Sequence, residues 1–333
     1  MIKTLLLFDM RLPEIGPPAA SVYAEALEMA HFADRVGFDY VSISEHHGSE
    51  DSYLPAPFVM AGAVAGRTDR IRIVLNALVL PLHDPVEAAE QIAVLDQVSQ
   101  GRLEVIFGAG YVPSEFARFG VPLSERGKRL DEGLEIIIRA LSGERFEARG
   151  REVFVRPLPR QQPHPPFICG GGASASARRA ARLGLGFAPM KPGLFDLYLE
   201  ECAKLGQAPG PLWGLQGPIM VHVAEDPEAA WARLKPHLLH VAGTYAQWAA
   251  EAGDATSTYT GLLDFDVIRS SGKYAVVTPD ECVALADAQQ KLHSSLIFQP
   301  MIGGLAIDEA WRSLHLFSEK VLPRLRAGGK VSA

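Results

Sequence analysis

The sequence predicts an α/β protein, a (β/α)8 TIM barrel with insertions. Three observations predict it. Short apolar runs alternate with helix-patterned segments along the whole chain, eight such runs can be counted, and polar, imidazole and glycine residues gather just after them. Alternation of this kind means parallel pairing through helical crossovers, and eight strand–helix units suggest a closed barrel rather than an open sheet. The 333 residues are about twice a typical single domain but ordinary for an elaborated barrel.

The expected strands are residues 4–10, 40–44, 71–80, 103–107, 166–169, 186–190, 218–223 and 295–299. Most are continuous apolar runs, as in strands covered on both faces. Between them, Val22, Ala26, Met29, Ala33 and Val36 make one apolar helical stripe, and Leu130, Leu134, Ile137, Ile138 and Leu141 make another. Asp84-Pro85-Val86-Glu87 and Thr278-Pro279-Asp280-Glu281 each place an oxygen side chain at the N-cap, Pro at the first helical position and Glu at the third. Asp226-Pro227 opens a further helix in the same way. Residues 145–159, with Gly150 between β-type runs, read as an inserted hairpin, and 248–277, rich in Gly, Ser, Thr and Asp, as a mobile loop. Neither reads as a second domain. Residues 1–327 are expected to form one domain and 328–333 a flexible tail.

Composition narrows the function. Hydrophobic residues make up 48% and charged residues 21%, the balance of a chain with a large core. A formal net charge of -7 argues against a nucleic-acid binder. The three cysteines, Cys169, Cys202 and Cys282, are widely spaced, which fits reduced thiols in the cytoplasm and gives no zinc motif. The opening apolar run stops at Asp9, short of a signal-peptide core, and no stretch approaches the roughly 20 residues that span a bilayer.

In a parallel barrel the site lies at the C-terminal ends of the strands. The second strand ends in Glu45-His46-His47, the third contains Asn76-Ala77, and the fourth runs into Gly108-Ala109-Gly110-Tyr111. The fifth ends in Gly170-Gly171-Gly172-Ala173-Ser174-Ala175-Ser176, the sixth in Met190-Lys191 and the eighth in Gln299-Pro300. An imidazole at such a mouth suits general acid–base work. A metal site or a structural role remain open for the histidines, with His83 or His222 as a further ligand; strand geometry points adjacent side chains to opposite faces. The run from Gly170 to Ser176 leads into a helix carrying Arg178, Arg179 and Arg182, so Gly171, Gly172, Ala173, Ser174 and Ser176 are candidate phosphate binders. The alternative is a plain strand–helix turn with Ser as N-cap. Gly108-Ala109-Gly110 lacks the third glycine of a dinucleotide fingerprint, and close backbone packing beside a flat ligand is the better use of Gly110 and Tyr111. Cys169 reads as a small buried hydrophobe. His31, Trp231, Trp248 and Trp311 read as packing residues.

These segments resemble the luciferase-like flavin-dependent monooxygenases. The resemblance rests on Ser44-Glu45-His46-His47, on 57–73 with its Gly66-Arg67-Thr68 turn, and on Val79-Leu80-Pro81-Leu82-His83-Asp84-Pro85. It continues through Leu95-Asp96-Gln97-Val98-Ser99-Gln100-Gly101-Arg102, then Glu115-Phe116 and Phe119-Gly120-Val121, and more loosely to 308–322. The family implies a luciferase-like barrel that binds reduced FMN or, in a sister branch, a reduced deazaflavin coenzyme. It implies that His46, with Glu45 alongside, lies near the reactive part of the flavin and that Asn76–Ala77 is a non-prolyl cis peptide beneath the ring. The phosphate would lie near Gly171, Gly172, Ala173 and Ser176. Bacterial luciferase itself carries an arginine where Ala109 stands and an acidic residue where Gly172 stands. The phosphate site must therefore be built differently here, with main-chain donors and a cation from elsewhere, and light emission is not expected.

The implied reaction is that of a two-component monooxygenase. A separate flavin reductase supplies reduced FMN, which reacts with O2 to a flavin 4a-hydroperoxide that oxidises a small-molecule substrate. His46 manages the proton and the 248–277 loop closes over the site. Relatives of this kind pair as homodimers through early barrel helices. The competing expectations are hydride transfer by the deazaflavin coenzyme, a non-catalytic flavin-binding protein, and metal-dependent hydrolysis.

Overall fold

Each expected strand forms where its apolar run lies. The computed structural model describes residues 2–214, 217–255, 257, 259–292 and 294–328. In chain order its elements begin β1 (Lys3–Phe8), α1 (Ala19–Val36), β2 (Tyr40–Ile43), α2 (Pro57–Arg67), β3 (Arg72–Val79), α3 (Pro85–Val98), β4 (Leu103–Gly108) and α4 (Pro113–Arg118). They continue with α5 (Arg126–Leu141), β5 (Phe146–Ala148), β6 (Arg151–Val153), β7 (Phe167–Gly171), α6 (Ser174–Arg182), β8 (Gly186–Pro189) and α7 (Leu194–Lys204). The rest are β9 (Met220–Val223), α8 (Pro227–Glu251), α9 (Phe265–Ser270), β10 (Tyr274–Val277), α10 (Pro279–Lys291), β11 (Ser295–Phe298), α11 (Ile307–Leu316) and α12 (Leu322–Gly328). Two units share the chain: one takes the described residues of Met1–Ser42, His46–Pro55 and Leu215–Ala333, the other Ile43–Glu45 and Ala56–Gly214.

In the first unit β1 pairs in parallel with β11, from Lys3 opposite Ser295 to Leu6 opposite Phe298, and has β2 on its other side. On α1 the stripe Val22, Ala26, Met29 and Ala33 is buried. A second parallel pair joins β9 and β10, with Met220 opposite Tyr274. Helix α8 packs its apolar side here, and Met220, Trp231, Leu234, Leu238, Ile268, Tyr274 and Val276 form one core cluster. Asp226 caps α8 by accepting the Ala229 N–H, and Thr278 with Glu281 forms a capping box on α10.

In the second unit β3, β4, β7 and β8 lie side by side, all parallel. Ile73, Val105, Phe107, Phe167, Ile168 and Phe187 are buried. Asp84 caps α3 through the Val86 and Glu87 N–H groups. Helix α5 buries Leu130, Leu134, Ile137 and Leu141. The inserted hairpin is β5 against β6, antiparallel.

The expected loop at 248–277 is regular structure at both ends and in one short helix, which corrects that reading in part. Helix α8 runs on through Trp248 to Glu251, Asp264 caps the short α9, and Tyr274-Ala275-Val276-Val277 is a strand. The Gly, Ser and Asp residues that suggested a loop are its turns and caps, whereas the tyrosine and β-branched pair are strand formers. The expected tail begins at Gly328, the last residue of α12; residues 329–333 lie outside the described residues.

Arg102 explains why a basic residue ends the Ser99–Arg102 turn. It is buried, and its guanidinium donates from Nε to the Ser99 carbonyl (2.7 Å) and from Nη1 to Thr68 Oγ1 and the Ile71 carbonyl (both 2.8 Å). From Nη2 it donates to the carbonyls of Ala65 (3.0 Å) and Thr68 (2.9 Å). The end of α2, the start of β3 and the end of α3 are thereby tied to one cation. Arg102→Met leaves these acceptors buried and unpaired, and each charge-assisted bond contributes roughly 1.5–3 kcal/mol. We therefore expect a loss of at least about 3 kcal/mol in urea unfolding; a midpoint within error of wild type would refute this role.

Candidate active site

His46 and His47 follow β2, and His46 is half-buried. In the first unit the His46 ring stacks on Trp248, centroids 4.3 Å apart at 26°, and meets the edge of Tyr53 at 4.7 Å. Tyr245 stands 6.2 Å away, and its hydroxyl is 3.3 Å from that of Tyr53. Trp248 is therefore not a mere packing residue, because α8 extends one turn further than the loop reading allowed and lays the indole on the imidazole.

Beneath these aromatics lies a charge cluster that the sequence reading did not single out. Arg11 is 1% exposed, and its guanidinium lies 4.5 Å from the Tyr53 ring centroid, 4.9 Å from Tyr245 and 5.3 Å from Trp248. Its Nη1 donates to Asp51, which also accepts from Ser49 and faces His240 Nε2 at 2.8 Å. Met10 adopts φ 57°, and its neighbour Asp9 accepts the Arg11 backbone N–H at 3.2 Å. Ser52, at φ 55°, turns the facing loop, and Leu12 N–H to Asp51 carbonyl and Leu54 N–H to Asp9 carbonyl join the two. Burial opposes ionisation of Asp51, but Arg11, Ser49 and His240 outweigh it and hold its pKa below the usual value. Burial wins at Asp9 and raises its pKa, despite Arg11. The signal available in the sequence was the Asp9-Met10-Arg11 triplet at the end of an otherwise apolar strand.

In the second unit Glu45 is buried with both carboxylate oxygens engaged. Oε2 accepts the Val79 N–H at 2.7 Å, and Oε1 is 2.6 Å from His83 Nε2. Glu45 therefore fastens the end of β3 to His83. The other remote imidazole, His222 in the first unit, likewise faces a carboxylate, Glu309, at 3.5 Å.

The Asn76–Ala77 peptide is cis, and the β3–β4 register slips between Asn76 and Leu78. Both residues are half-buried. A Cβ on Gly108 would stand 3.2 Å from that of Ala77, so the two strands approach closely here. Gly110 has φ 71°, and a Cβ there would come within 2.7 Å of both Phe116 and Val79. Protein packing thus already requires this glycine. Tyr111, beside it, is exposed.

After β7 the glycine run forms a cradle. A Cβ on Gly171 would lie 2.2 Å from Ser176 Oγ, so only glycine fits beneath that hydroxyl. Gly172 faces Lys191, with 3.4 Å between its would-be Cβ and Lys191 Cε. Helix α6 starts at Ser174 with Ala173 at the N-cap and no side-chain cap, which corrects the alternative of a serine cap. Its first N–H groups thus face outward, between exposed Ala173 and Ser174 and buried Ser176. Two of the helix arginines are turned to other partners: Arg179 is bidentate to Asp131 at 2.9 Å, and Arg182 binds Asp131 and Glu135. The Lys191 side chain runs beside Gly172 at the cradle. Cys169 is buried, and burial pushes its thiol up to about 12, which suits an inert packing residue.

Comparison with known proteins gives the family and the fold. The family model of luciferase-like monooxygenases matches residues 5–288. Limonene 1,2-monooxygenase of Rhodococcus erythropolis is 26% identical over 89% of this chain and 80% of its own. The chain spans about half the length of two uncharacterised Sinorhizobium fredii proteins it matches at 35% and 34% identity, 56% and 49% of their own lengths. The crystal structure of the monooxygenase RslO1 from Streptomyces bottropensis superposes with a TM-score of 0.78 at 28% identity, covering 98% of this chain and all (100%) of that one. The oxygenating constituent of 3,6-diketocamphane monooxygenase from Pseudomonas putida, solved with FMN, gives 0.73 at 20% identity over 97% and 98% of the two chains, a likeness of fold.

The Glu45–His83 pair has a pH signature. Burial alone would lower the His83 pKa, but the hydrogen bond and charge of Glu45, with Glu87 adding to them, raise it above the ordinary value near 6.5. The stability it contributes is complete below that ordinary value and is lost as pH rises through the raised one. The expected outcome is that His83→Gln flattens the fall in unfolding free energy as pH rises above the ordinary imidazole value. A wild-type His83 imidazole that titrates at or below the ordinary value by NMR would contradict it.

Proposed function

The chain belongs to the luciferase-like monooxygenase family, and on that premise we propose that it is a flavin-dependent enzyme that uses reduced FMN and O2 to oxidise a small organic substrate. The family's fold class is the α/β, (β/α)8 type. The observation that carries the proposal is the cradle after β7. Gly171 leaves room for one hydroxyl, Ser176, and the uncapped start of α6 offers main-chain N–H groups toward an anion. The amides of Gly172, Ala173 and Ser174, the Ser176 hydroxyl and the Lys191 ammonium would hold the FMN phosphate. Asn76, Ala77, Gly110 and Tyr111 would border its ring. When bound, reduced FMN supplies the electrons that activate O2.

What the chain itself does is position, exclude water and handle a proton. The Trp248 stack holds the His46 ring in one orientation, and an imidazole so held can pass a proton to or from a bound reactant. Glu45 acts as a positioning residue through Val79 and His83. A separate reductase supplies the flavin, and a homodimer in the cytoplasm remains our reading of the assembly. Among the described residues no helix is long and apolar enough to cross a membrane.

Anaerobic titration with reduced FMN tests the phosphate site. Lys191→Ala should weaken reduced FMN about tenfold, the scale of one charge-assisted contact, and leave reduced riboflavin, which has no phosphate, unaffected. Equal effects on both would remove Lys191 from the site. Uptake of the reduced deazaflavin coenzyme but not of reduced FMN would move the activity to oxygen-independent hydride transfer. On mixing with oxygenated buffer, oxidised flavin should appear later than for free reduced FMN. His46→Gln should shorten that delay without changing flavin affinity, and an unaltered delay would remove His46 from proton handling.

A further inference from the structure

The first unit buries a cation whose donors are only partly used. Nη1 of Arg11 is bonded to Asp51, but among the described residues Nε and Nη2 have no hydrogen-bond partner, and Asp9 Oδ2 stands 3.5 Å from Nε. The hydroxyl of Tyr274, on β10, is likewise buried with no partner among the described residues. Tyr274 lies in the core cluster against which Tyr245 packs, and the Tyr245 ring stands 4.9 Å from the guanidinium, so the two orphaned groups share one neighbourhood. Tyr53, Tyr245 and Trp248 stand around the guanidinium.

Buried donors without acceptors are rare and destabilising. The unused guanidinium groups are all donors, and the Tyr274 hydroxyl can donate as well as accept, so one acceptor completes both. Nε–H and one Nη2–H lie on one edge of a planar fork and converge on a single oxygen. Charge selects among acceptors. Arg11 is already matched by Asp51, and Asp9 is biased toward its neutral form by burial. A carboxylate would add an unmatched buried charge, whereas a carbonyl adds none. The aromatic walls suit a flat, apolar skeleton.

We propose that Arg11 and Tyr274 form a subsite for an uncharged carbonyl oxygen carried on a flat apolar skeleton, bounded by the Trp248 indole that also stacks on His46. This rests on the proposed function only for the source of that carbonyl, which is either the organic substrate or the flavin ring itself. An ordered water would be the purely structural occupant.

Arg11→Lys is the obvious variant, but it disturbs a buried ion pair, so Tyr274→Phe is the informative one. Its hydroxyl has no partner, and its loss should leave the melting temperature equal or higher. The probes are acetophenone, benzoate and ethylbenzene, bound by flavin-free protein, and reduced FMN titrated anaerobically. Wild type should bind acetophenone more tightly than benzoate or ethylbenzene, and Tyr274→Phe should weaken it about three- to tenfold. A loss confined to reduced FMN would assign the carbonyl to the flavin. If acetophenone binds so and reduced FMN does not, the subsite stands and the flavin reading falls. A lower melting temperature with both affinities unchanged identifies a water site and overturns the proposal, as do tighter benzoate binding or wild-type protein that takes up neither ligand.

Discussion

A guanidinium withdrawn from water must be matched by buried acceptors or charge, and at Arg11 that requirement organises the ends of β1 and β2. Desolvating such an ion is expensive, so the chain brings Asp51 onto Nη1 and Asp9 alongside. Doing so takes two left-handed residues, Met10 and Ser52, and neither is glycine. A non-glycine residue in that region persists only where its surroundings over-determine it. Here the ion pair and the two backbone bonds between the loops supply the determination. The same cation draws Tyr53, Tyr245 and Trp248 around it, and Trp248 in turn orients His46.

The adjacent residues Glu45 and His46 therefore have different duties. The Glu45 carboxylate spends one oxygen on the Val79 N–H and the other on His83. Both oxygens of this carboxylate are thus taken up in holding backbone and imidazole in place. The His46 ring instead has aromatic neighbours, which fix its plane.

The sequence showed the parts of the fold that depend on local pattern. Apolar runs located the strands, and Asp84, Asp226 and Thr278 cap helices as their Pro and Glu neighbours indicated. The regular parts of 248–277 were missed because turn and cap residues outnumber the three strand formers of β10, and pairing with β9 is not visible in a single sequence. Arg11 was missed for a related reason. One basic residue after a strand carries no periodicity, and its partners Asp51, Tyr53 and Tyr245 are distant in the chain. The glycine cradle was legible, because Gly171 must lack a Cβ whatever binds there. The cation beside it was not, since three arginines on α6 looked better placed than Lys191.

That exchange of cation has a consequence for how a phosphate would be held. Arg179 and Arg182 are committed to Asp131 and Glu135, which staple α6 to α5 and take both forks away from the helix start. Ala109 offers no replacement at the position where bacterial luciferase has an arginine. A lysine presents a hydrated point charge on a flexible stem, without the planar two-point grip of a guanidinium. On the proposed reading the phosphate is thus gripped by main-chain amides and a mobile charge rather than by a rigid clamp. Such a site recognises FMN without retaining it, which is what an enzyme needs if a reductase delivers its flavin reduced and takes it back oxidised. The pairing of Arg179 with Asp131 thus fixes the packing of α6 on α5 and leaves the grip on a phosphate to the helix start and its neighbours.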